Sequence, residues 1–380
     1  MRLLYLCDAD GGGIAEYALR QLHALCAAGA EVTFLCRPTF ETHRLQHENI
    51  LADLPVSPAR HHSPVGRLFQ MIADARAVAR ISANTALEGG YDVLLIACYG
   101  EYFSPFWVPI LRRAARKGLV IGTIAHDPVR DFVLGPLWWH RWSVRQAYSF
   151  VSHVFVHDET AVDFGGAPPD SIQIQIIPHG PFEVAAPVHE REEVRARYGF
   201  SDADEVFLSF GQIRDGKNLD RFLRAMKDLP GSVKLLVAGA GGGASQRLPE
   251  EYPRLAAELG VADRCAWDFR YIPDAETGDL LSAADHLLLC YSAKFRSASG
   301  VLNTAVAGRK SVLASSGDGP LRSAVENYQL GVFIAPDDDA AILEGARRLI
   351  TESTKADWER YEQENSWDEN ARRVIEALKG

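Results

Sequence analysis

The sequence predicts an α/β protein with two doubly wound parallel sheets in tandem. Near-continuously apolar runs alternate with amphipathic segments, and this alternation begins again after a charged stretch at 189–200. Parallel strands buried on both faces have such runs, and the helices between them form outer layers. A chain of 380 residues also exceeds one ordinary core, which favours two domains.

Six apolar runs predict the strands of the first domain, which we place at residues 1–185 with a hinge at its end. A glycine-rich loop at 11–13 leads from the first run into a helix near Ile14. The predicted strands are 3–7, 31–36, 91–98, 119–125, 151–157 and 172–178.

A second Rossmann-like domain is predicted at residues 186–355, followed by a final segment at 356–380. That segment is expected to be helical from about Asp368, because its apolar residues repeat at helical spacing. The predicted strands are 206–210, 233–239, 265–269, 286–291, 311–316 and 331–336.

Composition restricts the function classes. The net charge of −10 argues against a general nucleic-acid binder. The six cysteines include no CxxC pair and read as small core residues of a reduced cytoplasmic protein. No segment approaches the roughly 18 apolar residues of a membrane span, and the first ten residues resemble a strand rather than a signal peptide.

The most informative stretch is FGQIRDGKNLDRFLRAM at 210–226. An apolar strand ends at Gly211, and a polar loop with Lys217 leads into a helix. A helix N-terminus with a nearby ammonium group favours a phosphate ligand. The alternative interpretation is an ordinary strand-to-helix turn with a solvated lysine.

Other strand ends carry glycine, histidine, serine or single charges, among them His126 and Ser299. Ligands of open parallel sheets bind at the carboxyl ends of the strands. One such residue is a weak signal, because glycine after a strand is often only a tight turn. The joint pattern predicts a cleft between two domains with backbone donors on both walls.

The sequence resembles the GT-B-fold glycosyltransferases, and is most similar to the retaining family 4 (glycosyl transferases group 1). GGGIAEYALRQLHALCAAGAEVTFL, GTIAHDP and IIPHG resemble motifs of the family's first domain. FGQIRDGKNLDRFLRAM, LLVAGAG and YIPDAETGDLLSAADHLLLCY resemble its nucleotide-binding domain. SWDENARRVIEAL resembles the terminal helix that returns to the first domain.

This resemblance implies roles for particular residues. Lys217 would bind the donor diphosphate, with Arg214 substituting for an arginine that the family usually has where Gln212 stands. Gly12 and Gly13 would face phosphates or acceptor through backbone N–H groups, and His126 would lie near the reacting sugar. A nucleobase would be flanked by the stretch Arg270, Tyr271 and Ile272.

The largest departure from the family lies in KFRSASGVLNTAVAGRKSV at 294–312. The family usually has two glutamates there, and the corresponding positions are Phe295 and Asn303. Asn303 retains the capacity to hydrogen-bond a ribose hydroxyl. A phosphate cradle at a helix start is still predicted from Ser297, Ser299 and the N–H groups of Gly300 and Val301.

The acidic residues that follow strands are predicted to contact an acceptor or to cap a helix. Asp10, Glu101 and Asp127 are candidates on the acceptor side, with Asp127 a conceivable orienter of a histidine base. The DDD run at 337–339 is interpreted as a helix N-cap cluster rather than a metal site. We expect neither a metal nor a cofactor, with the nucleotide sugar as substrate.

The predicted function is transfer of a sugar from a nucleotide-diphosphate sugar to a glycan or lipid-linked acceptor in cell-surface polysaccharide or glycoconjugate synthesis. Segments 106–118 and 134–148 combine aromatic and basic residues, which suits either peripheral contact with the inner membrane face or a core helix with a solvated basic side. Alternatives are a nucleotide-sugar epimerase of the same fold and a non-catalytic nucleotide-binding subunit.

Overall fold

The computed structural model describes residues 1–40, 47, 49–56, 63–130, 133, 135–159, 162–169, 171–241 and 246–379. It divides into two compact units. One comprises Met1–His179 with Ser366–Gly380, and the other comprises Gly180–Asn365. Each unit contains one parallel sheet between two layers of helices, so the predicted pair of Rossmann-like domains is confirmed.

The sheet of the first unit has the strand order β3-β2-β1-β4-β5-β6-β7 over the described residues. All of its pairings are parallel. The strands are β1 (Arg2–Leu6), β2 (Glu31–Leu35), β3 (Ile50–Leu51), β4 (Val93–Ile96), β5 (Val120–Ile124), β6 (His153–Val156) and β7 (Gln173–Ile176).

Two helical layers cover this sheet. Their members are α1 (Gly12–Ala27), α2 (Pro64–Glu88), α3 (Ser104–Ala115), α4 (Leu137–Ala147) and the last helix of the chain, which spans Trp367–Lys379. One apolar core packs α1 and the last helix on one face, with Leu3 and Tyr5 of β1. The other core packs α2, α3 and α4 on the opposite face, with Leu4 and Leu6. Alternation of these β1 residues between faces is the period of a strand.

The sheet of the second unit has the order β10-β9-β8-β11-β12-β13, again with parallel pairings. Its strands are β8 (Glu205–Phe210), β9 (Val233–Ala238), β10 (Cys265–Asp268), β11 (His286–Cys290), β12 (Ser311–Ser315) and β13 (Gly331–Phe333). The order reverses direction between β8 and β11, and the carboxyl ends of strands at such a switch point form ligand crevices.

The helices of the second unit are α5 (Arg191–Arg197), α6 (Leu219–Ala225), α7 (Glu251–Glu258), α8 (Asp274–Ala283), α9 (Gly300–Ala307), α10 (Pro320–Asn327), α11 (Asp339–Thr351) and α12 (Trp358–Glu364). The helix at Trp367–Lys379 is therefore α13. One core lies under α6, α7 and α11, and a second lies under α8, α9 and α10.

Every predicted strand corresponds to a strand of the structure, and β3 is an addition. Two residues are too few for an apolar period to be visible, so sequence reasoning passed over β3. Along the chain, the first unit ends at His179 and the second begins at Gly180, whereas the predicted boundary was at 185. Helix α12 belongs to the second unit, and α13 belongs to the first. The predicted apolar stripe of α13 is buried, comprising Ala371, Val374, Ile375 and Leu378.

The six cysteines form no disulfide. Cys7, Cys36 and Cys290 are buried, and the other three are half-buried. Among the described residues, no helix combines the length and the apolar character that a membrane crossing requires.

Candidate functional site

The turn after β8 has a backbone that few residue types adopt. Gly211 has φ of +81°, and a side chain on Gly239 would come within 2.0 Å of the Gly211 carbonyl oxygen. A 3₁₀ turn, Asp215–Lys217, then leads to Asn218, whose φ of 52° places it in the left-handed region. Glycine and asparagine tolerate this region best, so the local sequence fixes the turn that carries Lys217.

Lys217 is a buried cation, with only 8% of its surface exposed. Its Nζ donates to the carbonyl oxygen of Phe210 at 2.5 Å. Burial, followed by the nearby charge of Arg214, lowers the pKa of Lys217 to about 7. Within the described part of the chain, no carboxylate forms an ion pair with it. A buried ammonium group without a counter-ion is poised to accept an anion.

The start of α9 approaches the same place. A side-chain atom added at Gly211 would lie 3.7 Å from Cγ2 of Val301 and 3.9 Å from Nζ of Lys217. Gly300 is required for packing, since a Cβ there would lie 3.0 Å from the ring of Phe182. The loop after β8 and the first turn of α9 therefore converge, as the sequence predicts for a phosphate cradle.

Ser299 is the N-cap of α9 and accepts a hydrogen bond from the backbone N–H of Leu302 at 3.3 Å. Its Oγ also lies 3.1 Å from the hydroxyl of Tyr291. Ser297 is half-buried two residues earlier. The capping hydrogen bond stabilises the start of α9. Ser299 therefore has a structural role in addition to its predicted contact with a ligand.

Arg214 lies over a pair of stacked rings. The rings of Tyr291 and Phe295 have centroids 4.2 Å apart and an interplanar angle of 26°. The guanidinium carbon of Arg214 is 5.8 Å from the Tyr291 centroid and 5.5 Å from the Phe295 centroid. Cation–π contacts of this geometry hold a guanidinium in place without neutralising it. Arg214 therefore remains a second positive charge beside Lys217.

The two positions where the family usually has glutamate serve other purposes here. Phe295 supplies one of the stacked rings. Asn303 is buried and accepts a hydrogen bond from the hydroxyl of Tyr361, in α12, at 2.8 Å. Both side chains thus contribute to the packing of the second unit.

Asp337, which the sequence assigns to a helix N-cap cluster, instead connects two loops of this unit. Its carboxylate accepts from Nδ2 of Asn218 at 2.9 Å and from the backbone N–H of Ala293 at 2.9 Å. Its φ of 59° is left-handed. The predicted capping role is confirmed for Asp338, whose carboxylate accepts from the N–H groups of Ala340 and Ala341. Among described residues, no cluster of three or more His, Cys, Asp or Glu suits a metal ion.

Three other predicted donor residues lie on the surface, and a fourth is buried. Gln212 is exposed. Arg270 is exposed and forms ion pairs with Asp268 at 2.8 Å and Glu276 at 2.5 Å. Tyr271 is exposed, whereas Ile272 is buried in the core. The ion pairs of Arg270 direct its guanidinium toward carboxylates of its own unit, which is consistent with a contribution through backbone atoms only.

In the first unit, aromatic rings cluster around Tyr17. Its ring centroid is 4.6 Å from that of His126, 5.3 Å from that of His157 and 5.0 Å from that of His179. Trp367, from α13, lies 5.0 Å away. Each histidine follows a strand whose carboxyl end lies at one edge of the sheet, and this placement was the sequence signal for the cluster.

A buried hydrogen-bond network holds the cluster. The hydroxyl of Tyr17 accepts from Nδ2 of Asn370 at 2.8 Å and from Nε2 of Gln21 at 3.2 Å. Asn370 also donates to the carbonyl oxygen of Pro178 at 2.6 Å and accepts from Gln21 at 2.8 Å. Satisfied buried amides specify one packing of α13 against α1, and hence one position for Tyr17.

His126 is neutral near physiological pH. Burial, followed by repulsion from His179, lowers its pKa to about 3, against the effect of a hydrogen bond to the backbone of Ala97. The Nε2 atom is buried and has no hydrogen-bond partner among the described residues. Since the ring donates from Nδ1 to the carbonyl of Ala97, Nε2 is an acceptor in the neutral tautomer. Such an imidazole suits a ligand hydroxyl better than it suits proton abstraction.

The pKa of His157 is lowered well below its usual value by burial, with repulsion from His179 and His126 adding to the effect. Its Nδ1 lies 3.2 Å from the carbonyl oxygen of Ile177. Asp127 is exposed beside His126, whose ring contacts Tyr17 and His157. The pairing of His126 with Asp127 as base and orienter stays a prediction, and the contacts that hold the His126 ring are those of this cluster.

The glycine-rich loop opens α1. Gly12 has φ of +75°, and side chains added at Gly12 or Gly13 would meet no atom within 4 Å among the described residues. Asp10 precedes the loop with one carboxylate oxygen buried. No side chain among the described residues caps the helix start. The space beside these glycines is open, which is compatible with the predicted approach of a ligand to the helix start.

Glu101 is held by contacts with other side chains of the first unit. It forms an ion pair with the buried Arg130 and accepts from the hydroxyl of Tyr148 at 2.9 Å. Arg130 also donates to the carbonyl of Asp163 at 2.8 Å. This network ties Glu101 to Arg130, in the loop that follows β5, and the acceptor-side role of Glu101 stays a prediction.

Comparison with solved structures defines the class of fold. The Anabaena protein HepE in complex with UDP and glucose is 17% identical, with a TM-score of 0.73 over 100% of this chain and 99% of that chain. Sucrose-phosphate synthase from Thermosynechococcus elongatus is 16% identical, with a TM-score of 0.72 over 100% of this chain and 98% of the other. These similarities show the GT-B fold.

Family models identify the particular group. "Glycosyl transferases group 1" matches residues 190–374, and "Glycosyl transferase 4-like domain" matches residues 12–178. This chain belongs to the GT-B glycosyltransferases of the group 1, family 4 type. D-inositol 3-phosphate glycosyltransferase from Mycolicibacterium smegmatis is 27% identical over 282 residues, or 67% of this chain. The match spans 60% of that relative's length.

Proposed function

We propose that this protein transfers a sugar from a nucleotide-diphosphate sugar to a glycan or lipid-linked acceptor, in the synthesis of cell-surface polysaccharide or glycoconjugate. The proposal includes cytoplasmic action at the inner face of a membrane, for which the six unpaired cysteines are supporting evidence. Relatives whose names carry glycosyltransferase activity, and neighbours solved with UDP or UDP-glucose, support a nucleotide-sugar donor.

The observation that carries this proposal is the burial of Lys217 beside Arg214 at the convergence of a glycine turn and a helix start. Negative charge grows on the leaving diphosphate as the glycosidic bond breaks. Fixed cations and N–H dipoles therefore stabilise the transition state more than the ground state. Two cations and a helix start at one place supply this stabilisation from the chain's own groups.

The proposed transferase is retaining and independent of a metal, which its family and the two cations at the proposed phosphate site support. Its proposed donor residues are Gly12, Gly13, Gln212, Arg214, Lys217, Arg270, Tyr271, Ile272, Ser297, Ser299, Gly300, Val301 and Asn303. His126 is proposed to accept a hydrogen bond from a sugar hydroxyl at Nε2.

The test begins with a thermal-shift screen against UDP, GDP, ADP and dTDP. A nucleotide that binds only the native protein raises its melting temperature. The matching nucleotide sugar is then incubated with protein and acceptor candidates, with and without EDTA, and the anomeric configuration of the product is read by NMR. An inverted product would refute the retaining assignment, and loss of turnover in EDTA would refute metal independence.

Replacement of the two family glutamates by Phe295 and Asn303 favours a second candidate, a nucleotide-binding protein without transfer. A non-catalytic subunit binds nucleotide but releases no sugar with any acceptor. A GT-B epimerase instead converts the nucleotide sugar without acceptor. Incubation of donor alone, donor with acceptor and donor with Lys217→Ala protein separates these three cases.

A further inference from the structure

Three helices of the first unit expose large apolar side chains beside arginines. We call this surface the aromatic–basic face, and define it by the start of α2, the outward side of α3 and the outward side of α4. The ring centroids of Phe106, in α3, and Trp139, in α4, are 5.9 Å apart. Nη1 of Arg76, in α2, donates to the carbonyl oxygen of Phe106 at 2.7 Å. The three helices therefore present one continuous surface.

Helix α4 is the clearest part of this face. Its inward side is buried through His140, Ser143, Val144 and Ala147. Its outward side alternates indoles and guanidinium groups at helical spacing, in the order Trp138, Arg141, Trp142 and Arg145. Trp138 is 68% exposed and Trp142 is 43% exposed. Two indoles on the solvent side of one short helix are unusual for a surface that contacts only water.

Helices α2 and α3 continue the pattern. Phe69, two turns before Arg76 on the same side of α2, is 67% exposed. Phe106 is exposed at the start of α3, and Arg113 and Arg116 are exposed toward the end of that helix. The first two turns of α2 add further exposed apolar side chains, namely Val65, Leu68 and Met71.

The charge of this face is opposite to that of the whole chain. The protein has 50 acidic and 40 basic residues, yet α3 and α4 contain no aspartate or glutamate. Arg113, Arg141 and Arg145 are exposed on these two helices, and Arg116 is exposed directly after α3. A strictly basic region on an acidic protein attracts an anionic surface and is repelled by a second copy of itself.

We propose that the aromatic–basic face docks onto the surface of an anionic phospholipid bilayer. Indole rings partition to the level of lipid headgroups, and arginines beside them bind the lipid phosphates. Such docking lies in the plane of the membrane and needs no spanning helix. The proposal rests on the membrane location in the proposed function but not on the chemistry of the second unit, so vesicle binding and sugar transfer can fail independently. Contact between two copies in a symmetric dimer would instead place like charges opposite one another.

The test measures sedimentation of the full chain with vesicles of phosphatidylcholine alone and of equal parts phosphatidylcholine and phosphatidylglycerol. We expect binding to the anionic vesicles only, weakened by salt because exposed charges are screened. Arg141→Gln with Arg145→Gln should lower partition about 30-fold, since each basic side chain near the surface contributes roughly fivefold. Trp138→Ala with Trp142→Ala should lower it and remove the blue shift of tryptophan emission.

The matched control is Lys227→Gln with Arg254→Gln, two exposed cations of the second unit whose loss changes the net charge equally. This control should bind anionic vesicles as the unaltered protein does. Nucleotide binding by all variants should be unchanged, which confirms their folding. Equal loss in the control, absence of vesicle binding, or dimerisation through the face in sedimentation velocity would each overturn the proposal.

Discussion

The guanidinium carbon of Arg214 lies 5.5 Å from the ring centroid of Phe295, the residue that stands where related transferases usually have glutamate. A carboxylate at this position would neutralise the guanidinium, whereas a ring orients it and leaves its charge available. The substitution therefore changes how the site holds its second cation.

Phe295→Leu tests this relationship. We expect nucleotide affinity to fall roughly twofold to fivefold, since a cation–π contact at a partly exposed site contributes about 0.5–1 kcal/mol. Phe295→Tyr keeps a ring under the guanidinium and should bind as the unaltered protein does. Arg214→Gln should weaken binding more than Phe295→Leu. Calorimetry that found Arg214→Gln weakened and Phe295→Leu unchanged would contradict the positioning role of the ring.

The low pKa of Lys217 predicts pH-dependent donor binding. Burial holds the pKa of the unliganded group at about 7, and a bound diphosphate raises it again. Affinity should be constant below pH 7 and fall above it by up to tenfold per pH unit, because each binding event then takes up a proton. Calorimetry with a nucleotide sugar, in buffers of different ionisation enthalpy, measures both effects.

Lys217→Met is the control for this titration, since it keeps the length of the side chain and removes its charge. We expect weak binding that does not change between about pH 6 and pH 9. Turnover should be lost while the thermal transition persists. A slope of the same size in Lys217→Met would assign the pH dependence to another group.

His126 is expected to act as a neutral hydrogen-bond acceptor. His126→Ala should lower kcat roughly tenfold to a hundredfold, because a buried hydrogen bond to the sugar is lost. Nucleotide binding should be unchanged, since the residues of the proposed phosphate cradle lie in the second unit. The pH–rate profile of the unaltered protein should show no step from His126 near pH 6.5, because its pKa is about 3. Such a step that vanished in His126→Ala would restore its role as a base.

The same cluster predicts how stability depends on pH. The folded pKa values of His126 and His157 are depressed, so the unfolded chain binds more protons as pH falls below about 6.5. Stability should decline below that pH by up to about 1.4 kcal/mol per pH unit for each histidine. Urea unfolding of unaltered and His126→Gln protein measures this slope. The variant should show a shallower decline, and an equal one would place the effect elsewhere.

Much of this arrangement was predictable from the sequence, because apolar runs identify buried strands and strand ends identify ligand edges. The sequence placed Lys217 in a donor-phosphate loop and Val301 in a phosphate cradle, and the structure brings both close to Gly211. Ring contacts of Tyr291 and Arg214 were not predicted, since they depend on side-chain directions across two loops. The partners of Glu101 and Asn303 were likewise invisible, because Arg130 and Tyr361 are distant in sequence.

Variants of Asp337 can separate an effect on the position of the Lys217 loop from an effect on the stability of the protein. Its carboxylate joins Asn218, which follows Lys217, to the loop at Ala293, and the adjacent Asp338 only caps α11. Asp337→Ala removes both carboxylate oxygens that accept these hydrogen bonds. It also places alanine in a left-handed backbone conformation, which alanine adopts poorly. We expect about 1–2 kcal/mol lower stability and severalfold weaker nucleotide binding.

Asp338→Ala is the matched control, because loss of an N-cap costs about 1 kcal/mol without touching the loop of Lys217. Asp337→Asn keeps one acceptor oxygen and a residue suited to φ of 59°, so it should recover most of the nucleotide affinity. Chemical unfolding and calorimetry on the three variants give both quantities. Asp337→Ala and Asp338→Ala with equally reduced affinity would mean that the second unit responds to stability alone. Weaker binding in Asp337→Ala alone would show that this carboxylate positions two loops relative to each other. One loop carries Lys217, and the other carries the stacked rings of Tyr291 and Phe295.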